Sequence, residues 1–328
     1  MLALALAALL AATSPATSPA FPGEPLGISL ESLPYPYPVQ LLPITIEGQD
    51  LRMAYMDVAP SGPPNGKAVL LLHGKNFPGS YWADTIRALS AAGYRVVVPD
   101  QVGFGKSSKP DVHYTFELIA QHTGKLLETL GIFRTAVVGH SMGGMLAVRF
   151  ALMYPQATTH LVLENPIGLE DYREKVPYQG VDATYRTMLT PTRDGLARFY
   201  RTYFATWREE YGTWADVAWR QTLGGEWPRG ARASALTYEM IYSQPVVQDL
   251  GMIRVPTLLV IGQADRTTLG RGSLPPEVLA TMGRYPELGK QAARAIPGAT
   301  LLELDGVGHI PHLEAAQRFH EALLAFLR

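Results

Sequence analysis

The chain has 328 residues, 47% of them hydrophobic and 17% charged, with a formal net charge of −1. This composition fits a globular domain with a large core and argues against disorder. With no cluster of Lys or Arg there is no electrostatic basis for nucleic acid or an anionic membrane as partner, which leaves a small molecule. The absence of cysteine excludes a thiol nucleophile, a thiolate metal site and a disulfide framework.

Residues 1–12 contain only Met, Leu and Ala, and a small, turn-prone stretch follows to Ala20. The run is too short to anchor the chain in a bilayer, which takes about 20 apolar residues. It reads as the apolar core of a signal peptide over residues 1–20, although no Lys or Arg precedes it. The expectation is export to a periplasmic or secreted location, with cytoplasmic residence if the segment is only an Ala/Pro-rich tail. Residues 21–43 form an N-terminal extension.

From residue 44 onward β-branched runs alternate with helical patterns. Residues 44–46 and 51–58, joined through Glu47-Gly48-Gln49-Asp50, predict an antiparallel hairpin. Further strands are predicted over 68–72, 94–98, 135–138, 160–163, 256–261 and 299–304. Their near-continuous Val/Leu/Ile content suits strands buried on both faces of a parallel sheet. Trp82, Ile86 and Leu89 mark one helix that stops at Gly93; Phe116, Ile119, Thr123, Leu126 and Leu130 mark a second that stops at Gly131. Met145, Val148 and Leu152 mark a third, halted by Pro155, and Leu313, Phe319, Leu323 and Phe326 belong to a closing helix. Strand–helix alternation of this kind predicts a mostly parallel, doubly wound α/β sheet.

Between residues 167 and 250 the strand-like runs vanish. This helical segment holds Trp207, Trp214, Trp219 and Trp227, four of the chain's five tryptophans, and half of its sixteen tyrosines. It reads as a lid inserted between the core segments 44–166 and 251–328, with most of its rings packing its own small core.

The chemistry centres on Gly139-His140-Ser141-Met142-Gly143-Gly144, placed between a predicted buried strand and a helix. Such a turn forces the serine into a strained conformation, and Gly139 and Gly143 lack the Cβ atoms that would collide there. The helix beneath offers free N–H groups to a developing negative charge.

With this turn the chain resembles the α/β-hydrolase superfamily over residues 44–328. His73-Gly74 after the 68–72 strand, the D-x-x-G-x-G-x-S stretch from Asp100 to Ser107, and Gly308-His309-Ile310-Pro311 after the last strand carry the rest of the resemblance. It implies Ser141 as nucleophile, His309 as base and Asp265, in Ile261-Gly262-Gln263-Ala264-Asp265, as the acid that orients it. Some members place the acid one strand earlier, where Glu164 stands. His312 is the lesser candidate for the base, and a strand-to-helix turn points His140 away from the serine. His73 is expected to stabilise its own loop; His113, His122, His160 and His320 need no more than surface or packing roles. The oxyanion hole is expected from the backbone N–H of Met142 and of Lys75, or less favourably of Asn76, with the Lys75 side chain at the rim or in solvent.

The resemblance implies a serine hydrolase acting on a carboxylic ester of a small apolar or aryl substrate, without metal or organic cofactor. The same triad also serves lactone opening, acyl transfer, aminopeptidase-like cleavage, peracid formation and carbon–carbon hydrolysis. Carbon–carbon hydrolases of the family tend to carry a glycine-richer loop than His73-Gly74-Lys75-Asn76-Phe77-Pro78. An aspartate nucleophile, as in haloalkane dehalogenases and epoxide hydrolases, is excluded by Ser141. A binding protein that kept the fold without catalysis is the alternative of a different kind.

Overall fold

The computed structural model describes residues 23–328, so the expected signal peptide lies outside the described residues. Eight strands form one sheet: β1 (Val39–Ile46), β2 (Gln49–Val58), β3 (Ala68–Leu72), β4 (Arg95–Pro99), β5 (Thr135–His140), β6 (Thr158–Glu164), β7 (Thr257–Gly262) and β8 (Thr300–Leu304). They lie in the order β1-β2-β4-β3-β5-β6-β7-β8. β1 pairs antiparallel with β2, and β2 with β4; every other pair is parallel. The hairpin turn is made by Glu47 and Gly48, both at positive φ, the backbone twist that a two-residue connection needs.

The predicted strands all form. β1 starts at Val39, five residues earlier than the sequence pattern indicates. Pro43 interrupts that pattern, and the sheet tolerates it because β1 is an edge strand. Leu42, Ile44 and Ile46 alternate inward along it with the two-residue period of a half-buried strand.

In the central strands alternate side chains enter two separate cores. Leu70 and Leu72 join the layer under α2 (Phe116–Thr129), α3 (Met142–Met153) and α9 (Tyr285–Ala295). Val69 and Leu71 join the opposite layer, under α1 (Ala83–Ala91) and α11 (Ala316–Phe326). The closing helical stretch is split into α10 (Pro311–Glu314) and α11 at Ala315, whose backbone leaves the helical region. The fold is therefore the mostly parallel, doubly wound α/β sheet expected.

Helices α4 (Val181–Leu189), α5 (Arg193–Arg201), α6 (Gly212–Thr222) and α7 (Trp227–Ser243) fill the chain between β6 and β7; α8 (Pro276–Leu279) follows β7. The N-terminal extension ties this insertion to the sheet. Leu26 N–H donates to the Arg220 carbonyl and the Arg220 Nε to the Glu24 carbonyl, while Leu26 and Leu30 bury themselves against Val217 of α6. From the same segment, Tyr35 donates its hydroxyl to Asp100 at 2.6 Å. Asp100 also accepts the Gly79 and Lys106 N–H groups, so the loop after β4 is organised around one buried carboxylate.

Candidate active site

The parallel strands end on one edge, and the loops leaving that edge carry the predicted site residues. Ser141 stands between β5 and α3 at φ 57° and ψ −121°, a conformation that L residues rarely adopt. The glycines around it permit the bend. A Cβ on Gly139 would lie 2.1 Å from the Gly143 carbonyl oxygen, and one on Gly143 would lie 2.2 Å from the Leu72 carbonyl oxygen. The Ser141 carbonyl accepts the N–H groups of Gly144 and Ile167, fixing the turn to the following helix and to the loop after β6.

His309, in the loop between β8 and α10, has its Nε2 2.9 Å from Ser141 Oγ and its Nδ1 2.7 Å from Asp265 Oδ2. With Nδ1 donating to the carboxylate, Nε2 is free to accept the serine hydroxyl. Asp265 also accepts the Thr267 N–H at 2.8 Å and the Asn165 amide at 2.6 Å. Burial alone would raise the Asp265 carboxyl. The nearby His309 charge, its hydrogen bond and the Thr267 contacts outweigh that and hold it below its ordinary value.

Glu164, the alternative acid, is directed elsewhere. Its carboxylate takes the backbone N–H of His312 at 2.6 Å and the His312 Nδ1 at 2.9 Å. His312 sits in α10 with its ring stacked 4.0 Å from Trp82 and does not approach Ser141 by hydrogen bond. Burial pushes the Glu164 carboxyl up to about 7, against the pull of His140, the His312 N–H and His309, and pushes His312 well below its usual range. His140 bonds through Nε2 to the His309 carbonyl oxygen at 2.8 Å and through Nδ1 to the Tyr81 hydroxyl at 3.0 Å. His73 bonds to the Gly74 carbonyl and receives the Gln101 N–H, within its own corner of the sheet.

The β3 loop meets the serine closely: a Cβ on Gly74 would stand 3.2 Å from Ser141 Cβ. Among the described residues neither the Lys75 nor the Met142 N–H has a hydrogen-bond partner in the protein. Met142 opens α3, where helix donors lack intrahelical acceptors. The Lys75 side chain differs from expectation. It turns inward and donates to the Ser234 carbonyl at 2.8 Å, the Ser234 hydroxyl at 3.2 Å and the Thr237 hydroxyl at 2.9 Å, all on α7. The inserted helices supply oxygens above this loop that a solvent-directed lysine would not meet.

Three residues escaped the sequence pattern. Asn165 bridges Asp265 and the Gly262 N–H. Tyr203 stacks on His309 at 5.1 Å and 23°, and its carbonyl accepts the His309 N–H at 2.6 Å. Tyr81 accepts the Gly74 N–H at 2.9 Å. Asn165 had one available signal, its position directly after a strand end already considered for the acid.

A cavity of about 1110 Å³ opens on Ser141 and His309. The insertion contributes Phe199, Tyr200, Tyr203, Trp214, Trp227 and Tyr238 to its wall. Trp207 instead packs against Phe204 and Tyr211. Tyr200 donates to the Asn76 carbonyl and Asn76 to the Tyr203 hydroxyl, so the β3 loop is clamped to the insertion from two sides. Among the described residues no group of three or more His, Asp or Glu is arranged to hold a metal, and no helix is long and apolar enough to cross a membrane.

A family model described as alpha/beta hydrolase fold matches residues 67–316. The crystal structure of a probable hydrolytic enzyme from Pseudomonas aeruginosa PAO1 superposes with a TM-score of 0.91 and 47% identity, covering 93% of this chain and 99% of that one. A 2-hydroxy-6-oxononadienedioate/2-hydroxy-6-oxononatrienedioate hydrolase of Burkholderia vietnamiensis is 30% identical over 86% of this chain and 93% of its own length. Lipase 1 of Psychrobacter immobilis is 26% identical over 88% of this chain and 84% of its own. A match running from β3 to the start of α11 takes in every strand end that carries the site, and the chain therefore belongs to the alpha/beta hydrolase fold family and is a hydrolase.

Proposed function

We propose that the protein hydrolyses a carboxylic ester through an acyl-enzyme, with Ser141 as nucleophile, His309 as base and Asp265 as the orienting acid. The reading is carried by the Asp265–His309–Ser141 chain of hydrogen bonds ending on an open cavity. His309 Nε2 takes the Ser141 proton as Oγ bonds to the ester carbon, and the oxyanion is held by the N–H groups of Met142 and Lys75. The carbon–oxygen bond to the alcohol breaks and the alcohol leaves with the proton from His309. Water, deprotonated by His309, then attacks the acyl carbon and releases the acid, and Ser141 recovers its proton. Each oxyanion donor is worth about 3 kcal/mol of transition-state stabilisation.

The helical insertion acts as a lid whose aromatic side chains receive an apolar or aryl part of the substrate. Carbon–carbon hydrolysis by the same three residues is the second reading, favoured by the similarity to the Burkholderia 2-hydroxy-6-oxononadienedioate hydrolase. The Lys75-Asn76-Phe77-Pro78 loop, poor in glycine, speaks for the ester.

Fluorophosphonate labelling, followed by turnover of p-nitrophenyl esters and of a 2-hydroxy-6-oxo-dienoate, tests both. The expected result is an adduct on Ser141, ester turnover, and a loss of at least about 10⁴-fold in kcat for Ser141→Ala. Turnover of the dienoate alone would select the second reading, and no adduct on folded protein would select binding without catalysis.

A further inference from the structure

The charges on the cavity wall are one-sided. Across the chain 28 Lys and Arg stand against 29 Asp and Glu. The cavity is nevertheless lined by Lys75, Lys109, Arg198 and Arg271, and among the described residues by no Asp or Glu. None of these four cations belongs to an ion pair among the described residues. Arg198 and Arg271 are exposed, whereas Lys75 is half-buried and Lys109 buried.

Lys75 stands apart from the other three. Lys109 is bonded to the Gly105 and Ser107 carbonyls, away from Ser141, with Asp100, Glu31 and Glu226 near enough to act on it. Lys75 belongs to the loop that flanks the serine, and among the described residues no carboxylate is near enough to shift it. Its three N–H bonds meet three neutral oxygens of Ser234 and Thr237, and its ammonium lies 5.7 Å from the Phe104 ring centroid. Hydrogen bonding is thus satisfied while the charge is not neutralised. A half-buried charge without a counter-ion is costlier than one in water, and an anion reaching it gains more than it would in water.

We propose that the substrate of this site carries a carboxylate, and that Lys75 is the residue that recognises it. The inference rests on the serine-hydrolase reading above and narrows its substrate to an apolar body with one anionic end. The contact at 3.2 Å to the Ser234 hydroxyl is the longest of the three and the one a carboxylate oxygen would replace. The exposed Arg198 and Arg271 favour entry of the same anion by the sign of their charge. Burial pushes the Lys75 ammonium down to about 7, so an arriving carboxylate also holds the proton in place.

The test compares mono-p-nitrophenyl glutarate with its methyl ester, which has the same chain and no charge. The wild-type protein is expected to favour the acid at least tenfold in kcat/KM. In Lys75→Met the preference should fall to twofold or less, whatever change the two rates share. A lysine that only pins the β3 loop to α7 would lower both rates and leave their ratio alone. Calorimetric binding of glutarate to Ser141→Ala, with and without Lys75→Met, needs no turnover and separates this inference from the proposed reaction. Binding weakened at least tenfold by Lys75→Met supports it even if neither ester is cleaved. A wild-type preference for the methyl ester, a ratio unmoved by Lys75→Met, or glutarate binding absent or equal in the two proteins would overturn it.

Discussion

Asn165 donates its side-chain amide to Oδ2 of Asp265, the oxygen that also accepts the His309 Nδ1 proton, at 2.6 and 2.7 Å respectively. The other end of the amide accepts the Gly262 N–H at 2.9 Å, so reversing it would break both contacts. The carboxylate is held from two adjacent strand ends: Asn165 follows β6, and β7 leads into the Asp265 turn itself.

Asn165→Ala is expected to lower kcat about tenfold with a smaller change in KM, because the orientation of His309 matters most when it becomes charged. The buried Gly262 N–H would also lose its acceptor, at a cost of about 1–3 kcal/mol, visible as a melting temperature lower by several degrees. Steady-state kinetics on an ester substrate and a thermal melt check the two effects separately. Unchanged kcat with a lowered melting temperature would reduce Asn165 to a structural tie.

The two acids at neighbouring strand ends separate under substitution. Asp265→Asn should reduce kcat by about 10⁴-fold, since an amide there favours the wrong tautomer of His309. Glu164→Gln should stay within about tenfold of wild type and instead alter stability with pH. The folded carboxyl of Glu164 lies at about 7, above its ordinary 4.5. A group raised in the folded state contributes stability that is complete below its unfolded value and is lost as pH rises through the folded one. Wild type should therefore lose up to about 3 kcal/mol relative to Glu164→Gln between pH 4.5 and 8. Melting temperatures of both proteins across that range supply the check; parallel curves would contradict it.

Part of this site was legible in the sequence. The turn around Ser141 could be read because its glycines answer a local demand, the approach of Gly143 to the Leu72 carbonyl. The strand ends before Asp265 and His309 could be read because the strands leading to them carry apolar runs. Asn165 could not, since its partner Asp265 follows a strand beside it in the sheet but lies 100 residues away in the chain, and the pairing of β6 with β7 is a tertiary fact. The inward turn of Lys75 depends in the same way on α7, whose Ser234 and Thr237 carry no sequence mark of their purpose. The early start of β1 was hidden by Pro43, a residue whose tolerance depends on the strand lying at the edge.

Tyr81 supplies the last test, because it connects the β3 loop to the serine turn without touching the cavity. Burial keeps His140 well below its usual range and therefore neutral. With Nε2 donating to the His309 carbonyl, Nδ1 must accept from Tyr81, whose oxygen in turn accepts the Gly74 N–H. The direction of every bond in this run is fixed, and it joins the residue before Lys75, the residue before Ser141 and His309 itself. Tyr81→Phe would leave the Gly74 N–H and the His140 Nδ1 both without partners, at a cost of about 1–3 kcal/mol for the first alone. The loop that presents the Lys75 N–H would then be less firmly placed. The expected result is kcat lowered about tenfold with KM nearly constant, since in the proposed reaction the Lys75 N–H would serve the oxyanion and not the bound ester. A rise in KM at constant kcat would show instead that Tyr81 shapes the cavity, and the hydrogen-bonded run would then have no part in transition-state stabilisation.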